Sequence, residues 1–353
     1  MLAYSYLFFF VALISVGPIP KKVKLFLLFV ILSFFAGTRL DIDNDYGLYE
    51  YNIQYIESSI KDFATRDSPM EWCMYIIPNF LKLFIQSKVE IINYTFLTFA
   101  FLGVGIKLIA INRLTPFFFL SIILYTANLY FMQEMTTIRA GVATGIFLWS
   151  IKDIEENRNK IFFVKLGCAF LFHYSSIVFV MTWLLHKFNV KYKWLILGLC
   201  LAMLVPILNL NFIEILHLNV ISDKADAYMK IQEYEEKKLN LFNFKIIISL
   251  FYLIIFYWQR NKISVVGFDL LLKIHFLSLI LFFLFSTTGL TFSLRTFELL
   301  SIIQVILYPL IILCFMSKLR IWGYLLVMGT SFIFFYYNIF IADFLKEYTS
   351  WLF

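Results

Sequence analysis

The sequence predicts an all-α, polytopic membrane protein of about 10–12 transmembrane helices, on three observations. The chain is 61% hydrophobic and only 15% charged, with a mean hydropathy of +0.83, whereas soluble domains carry about a quarter charged residues. Apolar runs recur from one end to the other, many near the ~20 residues that cross ~30 Å of hydrocarbon. The loops between them alternate in Lys and Arg content, as cytoplasmic and outer loops do. The net charge of +7 therefore reports topology, and no nucleic-acid partner is expected.

The first run, residues 2–16, lacks a basic n-region and is predicted as a retained helix, not a signal peptide. The next spans are predicted at 22–37, 90–111, 115–132 and 137–152, followed by 193–213, 241–258, 267–286, 297–316 and 320–341. Lys21, Lys22 and Lys24 place the first loop in the cytoplasm. Segment 38–72 holds three basic and eight acidic residues and belongs outside. Both 152–160 and 187–193 are basic, so a single crossing between them would break parity. Two half-helices over 161–186, turning near Phe172–Ser176, keep both loops inside, and each is too short to cross. Segment 73–86 contains Pro78, Asn79 and Lys82 and is predicted to lie along or dip into the outer interface. No linker or repeat divides the chain, so residues 1–353 are predicted as one membrane domain. Its outer loops 38–72, 133–138, 214–240 and 287–296 would form the face of the site. The four cysteines have no ligand spacing and read as small core residues.

An ionisable group at membrane depth is costly, so it marks a functional site until another partner explains it. Arg39 with Asp41, Asp43 and Asp45 follows the second helix, Arg139 opens the helix after MQEMTT, His173 tips the proposed hairpin, and Arg295 and Glu298 open a late helix. All fall on the predicted outer side, which implies an outward-opening cavity. Local pairing is the alternative reading: Arg139 with Glu134, Arg295 with Glu298, His173 with Ser175 or Ser176. Guanidinium groups bind phosphates through charged bidentate hydrogen bonds, and a carboxylate or imidazole takes a proton from a hydroxyl. Together these suit glycosyl transfer from a lipid pyrophosphate.

The motifs resemble the EpsG-type branch of the Wzy-like bacterial polysaccharide polymerases. RLDIDNDYGLYEY, Arg39–Tyr51, is similar to that family's R-x-x-x-G-x-D-Y-x-x-Y segment, with Asn44 in place of the usual glycine. SPMEWCMYIIP around Glu71 matches a following short element. TTIRAGVATG, centred on Arg139, and GCAFLFHYSS, centred on His173, match two more, and SLRTFELL carries the late Arg295. The resemblance implies a GT-C-like, metal-independent glycosyltransferase without a cofactor. It would join undecaprenyl-pyrophosphate-linked oligosaccharides into O-antigen, capsule or exopolysaccharide at the outer face of the bacterial cytoplasmic membrane. It further implies that Arg139, Arg295 and Arg39 hold the donor diphosphate, that His173 or Asp45 is the base, and that Tyr46, Tyr49, Glu71 and Glu298 bind sugar. A Wzz-type chain-length regulator would be a partner, beside donor, acceptor and membrane lipid. An O-antigen ligase is the first alternative and a lipid-linked oligosaccharide flippase the second. A flippase predicts polar groups along both halves of a pore and paired repeats, and no repeat is visible.

Overall fold

A computed structural model describes residues 1–65, 70–210, 240–288, 290–342 and 344–352. These residues are predominantly helical, with two isolated β-bridges and no strand among them. The all-α polytopic membrane class follows from the helices together with what they expose. Phe26, Leu197, Ile254 and Trp322 point large apolar side chains outward, which water would not tolerate over so many helices.

Among the described residues, two single helices are long and apolar enough to span alone, Lys88–Leu114 and Ser317–Ile341. A third span is formed if Phe292–Ser301 and Gln304–Cys314, bent by 42°, count as one. The other predicted spans are shorter helices or broken ones, and the chain groups into two compact units, Met1–Ile177 with Ser317–Phe353, and Val178–Met316.

In the first unit, α1 (Leu2–Val16) and α2 (Lys21–Gly37) are joined where Lys24 Nζ donates to the Ser15 carbonyl at 2.8 Å. Three short helices follow: α3 (Tyr46–Gln54), α4 (Ile60–Ala64) and α5 (Cys73–Leu81). The long α6 (Lys88–Leu114) has legible ends. Ser87 Oγ accepts from Glu90 N at 3.4 Å, half of a capping box. Thr115 precedes Pro116 and is extended, which stops the helix.

Segment 115–132, predicted as one plain helix, instead begins as α7 (Phe118–Tyr125) and continues as a π-helix, Thr126–Thr136. Widened turns re-aim backbone carbonyls. Asn338 Nδ2 meets two of them, donating to Ala127 O at 2.8 Å and Asn128 O at 2.9 Å. The chain then enters α8 (Ile138–Glu155) and α9 (Asn159–Phe172). Helices α6 and α8 approach closely because their contact carries glycine. A Cβ on Gly145 of α8 would lie 3.3 Å from Lys107 Cγ and 3.5 Å from Gly103 O of α6, and likewise one on Gly37 of α2 would lie 2.7 Å from the Leu97 Cα of α6.

At one end of this unit, α2 runs into the acidic loop, and residues 344–352 pair with it. Bridges join Arg39 to Ser350 and Asp43 to Leu345, and Trp351 N donates to Thr38 O at 3.0 Å. Helix α9, at 14 residues, is about 21 Å long and short of a crossing. It breaks at the predicted turn: His173 is extended and Tyr174–Val178 form a 3-10 turn.

The second unit contains α10 (Phe179–Lys187), α11 (Tyr192–Ile207) and helices Phe244–Gln259, Phe268–Leu284 and Leu290–Ser301. Its core holds a polar knot. Ser249 Oγ meets Gln304 Nε2 at 3.0 Å and Tyr308 Oη at 3.1 Å, and the Ser249 carbonyl meets His275 Nε2 at 3.0 Å. His275 is a core residue. Most of the predicted outer loop 214–240 lies outside the described residues.

Candidate functional site

The acidic stretch after α2 divides its aspartates among different tasks. Arg39 is fully buried; its Nε donates to Asp43 Oδ2 at 3.2 Å, its Nη1 to Ala36 O at 2.8 Å, and its guanidinium sits 4.6 Å from the Phe96 ring centre. Asp43 Oδ1 also accepts from Asp45 N at 3.0 Å, which turns the chain into α3. Asp41 pairs on the surface with Lys346 at 3.1 Å, and Asp45 is half-buried at the head of α3. Tyr46 stacks on Phe96 at 4.8 Å, and Tyr49 meets the same ring edge-on at 6.2 Å. Phe96 thus fixes both tyrosines and Arg39 at once.

Tyr49 leads to the centre of the site. Arg139 Nε donates to Tyr49 Oη at 3.4 Å, and its guanidinium lies 5.2 Å from the Tyr49 ring centre. Arg139 Nη1 pairs with Glu71 Oε2, and Glu71 Oε1 meets His173 Nδ1 at 3.2 Å. Three segments separated by 68 and 102 positions converge on one carboxylate. Each is anchored locally. Glu71 O accepts from Met74 N at 2.9 Å, so the carboxylate is carried at the entrance of α5. Cys73 Sγ donates to Phe172 O at 3.7 Å, and Tyr174 Oη to Met70 O at 2.7 Å, which ties the approach to α5 to the end of α9. Arg139 occupies the first turn of α8, where unpaired N–H groups add positive potential.

Glu71 is 3% exposed, whereas Arg139 and His173 are 21% and 17% exposed. The carboxylate is therefore the hidden hub, and the guanidinium and imidazole are its partly exposed partners. Burial alone would raise the Glu71 pKa, but the His173 hydrogen bond and the Arg139 charge outweigh it and hold it at about 2. An ionised carboxylate only accepts, so Nδ1 carries the proton and Nε2 of a neutral imidazole keeps a lone pair facing away from Glu71.

The sequence leaves Arg139 open to a pair with Glu134, and the structure replaces that pair. Glu134, on the π-helix, is taken by Lys107 of α6 and by Tyr125 Oη at 2.8 Å, while Lys107 Nζ also donates to Gly141 O at 2.6 Å. Ser176 Oγ donates to Ala169 O at 3.2 Å and not to the His173 ring. Arg295 and Glu298 belong to the second unit, where Arg295 is exposed and Glu298 accepts from Lys245 Nζ at 3.5 Å. Sequence reasoning names Glu71 for sugar but not as the partner of Arg139 and His173, and it misses the Lys107–Glu134 pair. A lone Glu in SPMEWCMYIIP and Lys107 amid the apolar run of α6 are the available signals. Among the described residues, no group of three or more His, Cys, Asp or Glu side chains is arranged to hold a metal ion.

No curated protein and no solved structure matches the chain. The sequence model of the EpsG family matches residues 22–350, the segment that carries both the Arg39–Tyr49 stretch and the Glu71–Arg139–His173 cluster. The chain belongs to the EpsG family.

Proposed function

We propose that this protein is a metal-independent glycosyltransferase that polymerises undecaprenyl-pyrophosphate-linked oligosaccharide repeats at the outer face of the bacterial cytoplasmic membrane. The observation that carries the reading is the Glu71 hub, which holds a partly exposed guanidinium and a partly exposed, oriented imidazole on one carboxylate. Family membership supports a role in polysaccharide biosynthesis.

In this reaction His173 Nε2 removes the proton from the acceptor hydroxyl, whose oxygen bonds to the anomeric carbon of the donor. The bond from that carbon to the lipid diphosphate breaks, and the diphosphate leaves with the electron pair. Arg139 and the first turn of α8 stabilise the charge that develops on it. Glu71 holds the imidazole in the required tautomer and stabilises the imidazolium that forms. His173 is favoured over Asp45 as base because it has this orienting carboxylate. Tyr46 and Tyr49 are buried against Phe96, where Arg39 also packs, and Tyr49 Oη accepts from Arg139, so both tyrosines support the site from behind.

The test uses purified full-length protein with a defined lipid-linked repeat, products being resolved on a ladder gel. A ladder of lengthening products is expected. No lengthening refutes the polymerase, and transfer of one finished chain to a lipid A core acceptor identifies a ligase instead.

A further inference from the structure

The far end of the same helices carries a second cluster that the proposed reaction does not use. A cavity of about 270 Å³ lies where the C-terminal ends of α6 and α8 meet the start of α9. Arg113, Trp149, Lys152, Asp153, Arg158 and Lys165 line it. Its size falls just below the ~300 Å³ at which pockets for drug-sized ligands begin, so it suits a small headgroup.

The charges there are not balanced internally. Asp153, 3% exposed, takes Arg158 Nη2 at 2.8 Å and Lys165 Nζ at 2.5 Å. Glu156 is shared between Arg158 at 2.8 Å and Lys152 at 3.6 Å. Arg113 pairs with no carboxylate among the described residues, and its guanidinium lies 5.9 Å from the Trp149 ring centre. Four cations against two carboxylates leave an excess of two positive charges around one cavity. Trp149 adds an indole N–H that is buried without a hydrogen-bond partner. The cluster is also built: Lys165 lies 3.9 Å from the Trp149 ring centre and donates to Trp149 O at 3.3 Å, which sets the wall of the cavity.

Depth narrows the class of ligand. Lys152 is 13 residues along α8 from Arg139, roughly 20 Å of helix rise, so this cavity lies at the membrane surface opposite the Glu71 hub. The basic loops of this chain face that surface, and the leaflet there is rich in anionic lipid. We propose that the cavity binds the phosphate headgroup of an anionic phospholipid from the cytoplasmic leaflet. The lipid clamps α6, α8 and α9, and so braces from below the two helices that carry Arg139 and His173. The binding claim stands on the cavity alone and does not depend on the reaction proposed above.

The probe is phosphatidylglycerol, with phosphatidylcholine as the zwitterionic comparison, added to full-length protein in detergent and read as retained lipid by native mass spectrometry. The variant is Arg113→Ala with Lys152→Ala, chosen because neither side chain holds the buried Asp153; unchanged helicity and elution volume establish folding. Lys82→Ala with Lys88→Ala at the other end is the charge-matched control. Preferential retention of phosphatidylglycerol is expected, weakened roughly 30-fold in the first variant, about 2 kcal/mol for two basic residues, and unchanged in the control. Equal retention of the two lipids, or equal loss in both variants, overturns the site. Displacement by millimolar inorganic phosphate overturns the lipid and identifies a free phosphate site.

Discussion

Replacing Glu71 with glutamine keeps the shape of the hub and removes its charge. The carboxyl is held at about 2 against a reference of 4.5, which at about 1.4 kcal/mol per unit amounts to roughly 3 kcal/mol of differential stabilisation. Because Glu71 is 3% exposed, solvent screening removes little of this. The folded-state value lies below the unfolded one, so the stabilisation is complete above about pH 4.5 and is lost as the pH falls towards 2. The introduced amide still reaches His173 and Arg139, so the expected loss at neutral pH is at most about 3 kcal/mol. The assay is thermal unfolding of the full-length protein in detergent from pH 7 to pH 3. The parent should lose stability below pH 4.5 and the Glu71→Gln variant should lose less over that interval, having started lower. Coincident unfolding profiles for the two proteins would refute the hub, whatever happened to activity.

Arg139→Lys retains charge but not the planar fork, and should reduce lengthening of lipid-linked repeats by roughly 100-fold; normal ladders would remove Arg139 from the diphosphate. His173→Asn should abolish lengthening while the protein elutes and unfolds normally, and an active variant would move the base elsewhere. Lys107→Met strands Glu134 without its ion-pair partner and should cost about 3–5 kcal/mol. Lys107→Met with Glu134→Leu should recover much of that in the same unfolding assay. Truncation after residue 343 removes the pairing of 344–352 with the Arg39–Asp43 stretch and should make that stretch cleavable by protease under native conditions, whereas resistance would show that the tail is dispensable.

Composition and periodicity fix the solvent of a chain, so the helical membrane class and nearly every apolar segment are readable without coordinates. Local rules also place several boundaries: Ser87 and Glu90 open α6, Thr115–Pro116 closes it, and α9 ends at His173, within the stretch predicted to break. The π-helix after Tyr125 is not readable, because its re-aimed carbonyls are met by Asn338, more than 200 residues away.

The sequence by itself picked out the polar residues that are costly beside apolar segments: Arg39 with Asp41, Asp43 and Asp45, Arg139, His173, Arg295 and Glu298. Only tertiary structure decided their partners. Arg39 turned inward to Asp43, Glu134 went to Lys107 rather than Arg139, and Glu71 rather than an aspartate became the hub. The physical reason is that cost is set by the residue and its local depth, which the sequence records. An ion pair is set by which helix ends meet, and at separations of 68 and 102 residues that depends on how helices pack.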